Sequence, residues 1–324
     1  MIDTVTFTRS QAMLAVAMGP AITAALADPM VIEIMVNPDG ALRLDRLDGG
    51  RVDTGIRLDC RQVERIIRLV AAHLGREVHG GAPILSAELS ASTSGGERFE
   101  GVVPPVSAAP CFAIRKPAAR IHSLMDYVDD GILAAEAARA VSLAVVDRRN
   151  ILIAGGTSSG KTTLANALLV EMAHRDERVI LIEDTRELQC AAPDTIALRT
   201  KPGVASMGDI IRSTLRLRPD RIIIGEVRGA EALDMLKAWN TGHPGGIATV
   251  HANSAAAALH RLELLIQEGV TTVPRALIAD AIDLIIFIAG RGPARRVETI
   301  TVVEGLDAAG NYRLSPLSVE GDLP

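Results

Sequence analysis

The chain has 324 residues, enough for about two domains of ordinary size and an ample core. Hydrophobic residues make up 48% but aromatic ones only 2%, so the core has to be built from Ala, Val, Ile and Leu, as expected where helices pack on a parallel sheet. The net charge of -5 is spread evenly, with 16 basic and 18 acidic groups in residues 1–149, which argues against a basic face and a dedicated nucleic-acid site.

In chain order, a helical stretch near residues 10–26 comes first. The apolar run from Met13 to Val36 is broken by Gly19-Pro20, Asp28-Pro29 and Glu33, which excludes a simple membrane-spanning helix. No signal peptide or anchor is evident. VIEIMVN (31–37), an Asn-Pro-Asp-Gly turn and ALRLD predict a β-hairpin. DCRQVERIIRLVAAHLG (59–75) sets Val63, Ile66, Ile67, Val70 and Leu74 at helical spacing, with Gly75 as the stop. RFEGVVP and CFAIRK read as strands, and Lys116-Pro117 with the small residues after it reads as a linker. The expected domains are 1–118, a small α/β unit, and 119–324.

Beyond the linker the rhythm changes. NILIAG (150–155), RVILIE (178–183), RIIIGE (221–226), GIATVH (246–251) and DLIIFIA (283–289) are short β-rich runs separated by helical segments, which predicts a parallel sheet with crossover helices. VETITVVEGLDAAGNYRLSPL closes the chain as a hairpin around DAAGN. Cys60, Cys111 and Cys190 are odd in number, far apart and without metal-type spacing, which fits a reducing cytoplasm.

Gly155-Gly156-Thr157-Ser158-Ser159-Gly160-Lys161-Thr162 fits the G-x-x-x-x-G-K-[ST] phosphate loop, directly after a predicted strand and opening a predicted helix. Only four of the 34 cations are lysines, so a chain of this composition would contain about 0.003 such matches by chance. Glycines let successive amides turn toward an anion, and the helix N-terminus adds partial positive charge. Residues 156–163 (Gly156, Thr157, Ser158, Ser159, Gly160, Lys161, Thr162 and Thr163) are the candidate nucleotide cradle, with Lys161 on the β- and γ-phosphates and the Thr162 hydroxyl on Mg²⁺.

Phosphoryl transfer also needs carboxylates near the metal and the attacking water. Glu226, at the end of RIIIGE, is the candidate to hold a metal-bound water, and the Glu183-Asp184 pair the candidate to orient or activate the nucleophile. The plainer alternative is that these acids cap the helices after their strands. His243 and His251 lack the further ligands a metal site wants. A general base is redundant beside two glutamates. His251, at the C-terminal end of a later strand where parallel sheets bind ligands, is expected to sense the bound nucleotide, with a satisfied core histidine as the alternative.

Four blocks in this order, GGTSSGKTT, VILIEDTREL, LRPDRIIIGEVRG and TGHPGGIATVHANS, resemble those of the hexameric secretion ATPases of type II and type IV systems, most of all the conjugal-transfer members. The blocks span 155–254, and the likeness extends more loosely over nearly the whole chain. The resemblance implies a RecA-like P-loop NTPase domain with a parallel sheet, preceded by a smaller α/β domain. It implies an ATPase using ATP and Mg²⁺, a homo-hexamer, and partners among the inner-membrane components of a secretion or conjugation machine. Such a protein is cytoplasmic and peripheral at the inner membrane. By resemblance, Lys161 and Thr162 bind phosphate and Mg²⁺, Glu183 lies near the attacking water, Glu226 is the catalytic acid, and His251, with His243, belongs to a histidine box. GERFEGVVPP and FAIRKP resemble the family's two arginine-bearing segments, so Arg98 and Arg115 approach the terminal phosphates, unless they are ordinary surface arginines. Arg216, Arg218 and Arg228 act at a subunit interface or in structural ion pairs. A pilus assembly or retraction motor, a nucleic-acid translocase and a scaffold that binds ATP without hydrolysis are the competing functions. One Trp, two Tyr and four Phe leave a translocase little to stack bases on.

Overall fold

The computed structural model of this chain describes residues 4–89, 96–117, 120–201 and 203–317, with side chains from residue 12 onward. Two compact units divide it, Met1–Ala119 and Arg120–Pro324. Residues 118 and 119 of the expected linker lie outside the described residues.

Unit 1 begins with α1 (Thr4–Ala27), which kinks where Gly19 takes φ 72 just before Pro20. β1 (Val31–Val36) and β2 (Ala41–Arg46) form the expected antiparallel hairpin, closed by the Gly40 amide donating to the Asn37 carbonyl at 2.8 Å. β3 (Gly50–Arg57) extends this sheet. In α2 (Cys60–His73), Asp59 caps the N-terminus and Val63, Ile66, Ile67 and Val70 are buried. Leu74 departs from its expected place: it is the C-cap and 41% exposed, because the chain leaves the helix there and Gly75 turns it at φ 65. β4 (Ile84–Glu88), β5 (Arg98–Val102) and β6 (Cys111–Arg115) complete a six-stranded antiparallel sheet of order β3-β2-β1-β6-β5-β4. Alternate residues such as Ile34, Phe99, Phe112 and Ile114 pack against α1 and α2 in a single core.

Unit 2 starts with α3 (Leu124–Asp129) and α4 (Ala135–Val146). Then β7 (Ile151–Gly155), α5 (Lys161–Val170), β8 (Arg178–Glu183), β9 (Asp194–Arg199), α6 (Met207–Thr214), β10 (Arg221–Ile224) and α7 (Glu231–Asn240) alternate. β11 (Ile247–His251), α8 (Ala255–Gln267), α9 (Arg275–Ala281) and β12 (Leu284–Ala289) follow, and β13 (Arg296–Leu306) and β14 (Tyr312–Pro316) form the closing hairpin. The sheet order is β14-β13-β12-β7-β11-β10-β8-β9. Six strands, β12 through β9, run parallel; β13 pairs antiparallel with β12 and β14 antiparallel with β13, so the sheet is mixed where sequence predicts a parallel one. Strand residues of one parity meet α6 to α9 on one face, and those of the other meet α3 to α5 on the opposite face. Burial on both faces explains why β7 and β10 are apolar without alternation. Among the described residues no helix is long and apolar enough to cross a membrane.

Candidate active site

β7 delivers the chain to Gly155, and α5 takes it up again at Lys161. The turn between them closes through left-handed backbone at Ser158, φ 62, and Gly160, φ 96. For Ser158 this conformation costs on the order of 1 kcal/mol, strain of the kind retained where a loop is shaped for a ligand. The first amides of α5 lack intrahelical partners and carry the positive end of the helix dipole. Gly156 stands in open space. Thr157 and Ser158 are exposed, Ser159 is buried with its Oγ unpartnered among the described residues, and Thr162 and Thr163 are half-buried in the first turn of α5.

Lys161 is 7% exposed. Its Nζ donates to the carbonyls of Gly155 at 3.1 Å and Gly156 at 3.0 Å, and lies 3.2 Å from Nδ1 of His251. An ammonium can only donate, so Nδ1 faces it as an acceptor and the imidazole proton belongs on Nε2. That nitrogen lies 2.7 Å from Oε1 of Glu226, an ion-pair distance but out of line for a hydrogen bond, since Oε1 has no hydrogen-bond partner. Burial first, then the Lys161 charge, holds the His251 imidazole below its ordinary value against the opposing pull of Glu226. The ring is therefore neutral near pH 7.

The neighbouring strand ends supply the carboxylates. Glu226 follows β10 by two residues, and its Oε2 accepts from Nε of Arg228 at 2.6 Å. Arg228 also reaches Asp184 at 3.4 Å, and Asp184 accepts from the Thr200 hydroxyl at 2.7 Å. Glu183, the last residue of β8, is 3% exposed. Its Oε1 accepts from the amides of Glu187 at 2.9 Å and Leu188 at 2.7 Å. Burial outweighs these bonds and pushes its carboxyl up to about 7. A Cβ on Gly225 would fall 3.2 Å from Cγ of Glu183, so this side chain passes tightly against the β10 turn. The structure thus gathers Lys161, His251, Glu226 and Glu183 at the C-terminal edge of β7, β11, β10 and β8.

In unit 1, Arg98 on β5 and Arg115 on β6 are paired directly across the ladder. Glu33 pairs with Arg115 on one side and Glu88 with Arg98 on the other, which makes one row of acid, base, base, acid across four strands. Like charges directly opposite each other destabilise a sheet. The two arginine-bearing segments are thus neighbouring strands of one sheet.

Other expectations do not converge on this edge. His243 precedes the N-terminal end of β11 while His251 ends it, so the two histidines stand at opposite edges of the sheet. Both ring nitrogens of His243 are buried without hydrogen-bond partners, and burial lowers its pKa. Arg216 and Arg218 are exposed before the start of β10, also at the far edge. Arg228 is a member of an intrachain ion pair.

Two supporting residues escaped sequence analysis. Asn166 on α5 is 2% exposed; it donates to the Glu187 carbonyl at 3.0 Å and accepts from the Gln189 amide at 2.9 Å, fastening the turn that holds Glu183. Thr249 on β11 donates to the Gly225 carbonyl at 2.6 Å and accepts from the Val227 amide at 2.9 Å, bracketing Glu226. A lone polar residue in the apolar runs ANALLV and IATV is the signal that would have found each.

Residues 99–291 match the Type II/IV secretion system protein family. The conjugal transfer protein TrbB of Rhizobium radiobacter is 46% identical over 290 residues, covering 89% of this chain and 88% of its own. The type IV secretion system protein PtlH of Bordetella pertussis is 35% identical over 86% of this chain and 92% of its own, and VirB11 of Bartonella henselae 32% over 75% and 78%. Two solved structures share the fold: the pilus retraction motor PilT with bound ADP, at TM-score 0.62 and 19% identity over 91% of this chain and 80% of that one, and the ATPase DotB of Legionella pneumophila, at 0.60 and 18% over 86% and 78%. With the family match over more than half its length and relatives of this similarity, the chain belongs to the type II/IV secretion system protein family.

Proposed function

We propose that this chain is a Mg²⁺-dependent ATPase whose unit 2 is a RecA-like P-loop domain, and that it works as a homo-hexameric motor for a conjugative or type IV secretion machine. The observation that carries this reading is the gathering, around one strained glycine-rich loop and helix N-terminus, of a buried lysine, a neutral histidine and two carboxylates from adjacent strand ends.

In this reading the amides of residues 158–163 wrap the polyphosphate and the Lys161 ammonium moves from its carbonyl partners onto the β- and γ-phosphates. Glu183 is fastened through Oε1, which leaves Oε2 to take a proton from the attacking water; a carboxyl near 7 is matched to that task at neutral pH. The Thr162 hydroxyl and Glu226 carboxylate are oxygen donors of the kind Mg²⁺ accepts, and the unpartnered Ser159 Oγ is a further oxygen at the loop. When bound there, Mg²⁺ would supply positive charge that offsets the charge of the phosphates. His251 touches both Lys161 and Glu226, so a change in what Lys161 holds is felt at Glu226. Arg98 and Arg115, as the family resemblance implies, serve the terminal phosphates; an anion against the pair would relieve their mutual repulsion.

TrbB at 46% identity favours conjugative transfer over a pilus motor, which rests on a shared fold at 19%. As a member of such a machine the chain would work in the cytoplasm, peripheral to the inner membrane, against membrane-embedded partner components. Phosphate release together with light scattering, with and without an ATP analogue, tests the proposal. Hydrolysis by a six-fold assembly is expected. An ATP-binding monomer with no turnover would overturn it, and stimulation by single-stranded DNA would restore the translocase.

A further inference from the structure

The strand order gives the loop two unlike flanks. β11, β10 and β8 lie on one side of β7 and bring His251, Glu226 and Glu183, while β12 lies on the other. The segment after β12 folds through a short helical turn, Gly292–Ala294, and sends Arg295 back over the loop. A Cβ built on Gly160 would fall 2.9 Å from Nε of Arg295 and 3.0 Å from its Cζ, so the guanidinium covers the entrance to α5.

Nε of Arg295 is buried without a hydrogen-bond partner, and the guanidinium makes no ion pair among the described residues. Two more buried polar groups near it are unsatisfied: the hydroxyl of Tyr127 on α3, 2% exposed, and Oγ of Ser159, 2% exposed. Arg295 acts on the Tyr127 phenol electrostatically, opposing the upward push that burial gives it. Native interiors satisfy such groups, and the two at the helix entrance, Arg295 Nε and Ser159 Oγ, indicate a polar occupant. A guanidinium offers donors only, in a planar fork that fits phosphate oxygens.

We propose that Arg295 is a further nucleotide-binding residue, which takes the α-phosphate end of a nucleoside di- or triphosphate from the β12 side of the loop. The inference rests on the nucleotide reading of the same loop. The direction follows from the flanks: the carboxylates that would act on the terminal phosphate approach from β10 and β8, so the chain of phosphates runs away from them, toward β12. Arg295 then meets a part that ATP and ADP share. Its contribution is to the binding of both, and it appears in KM more than in kcat.

The test uses the full chain with Arg295→Ala and Arg295→Lys, measuring Kd for ADP and for a non-hydrolysable ATP analogue. Arg295→Ala is expected to weaken both by the same factor, on the order of tenfold, with Arg295→Lys recovering part of the loss. The unfolding midpoint without nucleotide should stay in place while the rise produced by ADP shrinks. Weakening of the ATP analogue alone would put Arg295 at the terminal phosphate and overturn the inference. So would ADP binding unchanged in Arg295→Ala, or a fall in the nucleotide-free midpoint that accounts for the loss. Wild-type protein that binds neither nucleotide would instead end the nucleotide reading itself.

Discussion

The two sheets of this chain solve burial differently. In unit 1 the strands alternate: β5 buries Phe99 and Gly101 and turns Arg98, Glu100 and Val102 to the other face. In unit 2 the strands β7 and β10 are buried along their whole length because helices cover both faces. A doubly covered sheet has no face to offer a ligand, so its chemistry is confined to the strand ends, where Glu183, Glu226 and His251 stand. An antiparallel sheet covered on one side can instead carry polar groups in mid-strand, and the row Glu33, Arg115, Arg98, Glu88 is placed that way. Charge at the ends and charge on a face therefore make different demands on folding, and substitutions separate them.

The largest effect is expected at the end of β7. Lys161→Ala removes a cation aimed at the transferring phosphoryl and should lower phosphate release by on the order of 10²- to 10³-fold; undiminished hydrolysis would refute the phosphate-loop reading. Glu183→Gln is expected to cost about 10²-fold through loss of the base, and it carries a second signature. The folded-state pKa of Glu183 is about 7, above its ordinary 4.5, so between these values the native protein holds a proton that the unfolded chain has released. Native stability contributed by this group is therefore present at low pH and lost as pH rises from about 4.5 to 7, by up to about 3 kcal/mol. Wild-type turnover should climb over the upper part of that window, while Glu183→Gln should unfold at a less pH-dependent temperature. A flat wild-type rate between pH 6 and 8, taken as roughly one unit either side of that value, would remove Glu183 from the base role.

Unit 1 is predicted to respond more weakly. Arg115→Ala should reduce turnover about tenfold at saturating ATP while leaving the assembly intact by light scattering; because the arginine pair is repulsive, the nucleotide-free unfolding midpoint should not fall. Unchanged turnover would make these arginines surface residues. Smallest of all, His251→Ala leaves the phosphate cradle and both carboxylates in place and should cost a few-fold, about 1 kcal/mol, in kcat. A loss as large as that of Lys161→Ala would assign His251 to the chemistry rather than to coupling.

Much of this was legible in the chain. The loop at 155–162 is a local device whose parts sit side by side in sequence, and the five apolar runs of unit 2 appear as β7, β8, β10, β11 and β12. Strands without an apolar pattern were not legible. β3, GRVDTGIR, is nearly all exposed, and β9, DTIALR, is a half-exposed edge strand next to β8. Each exists because a neighbour supplies its hydrogen bonds, which no residue in it announces. The two histidines of TGHPGGIATVHANS show the same limit, since eight residues of nearly extended chain carry them to opposite edges of the sheet.

The sequence by itself determined the elements whose physics is local: the turn glycines and the lysine of the phosphate loop, the amphipathic helix at 60–73, and the alternation of strand and helix after residue 150. Tertiary structure alone decided which side chains meet. Arg98 opposes Arg115 only through the register of β5 on β6, Asn166 reaches the Glu183 turn only because the segment after β8 folds back to α5, and Arg295 covers Gly160 only because β12 was added next to β7. Residues far apart in a chain become neighbours through sheet order and register, and those are fixed by the burial of whole faces rather than by any one residue's preference.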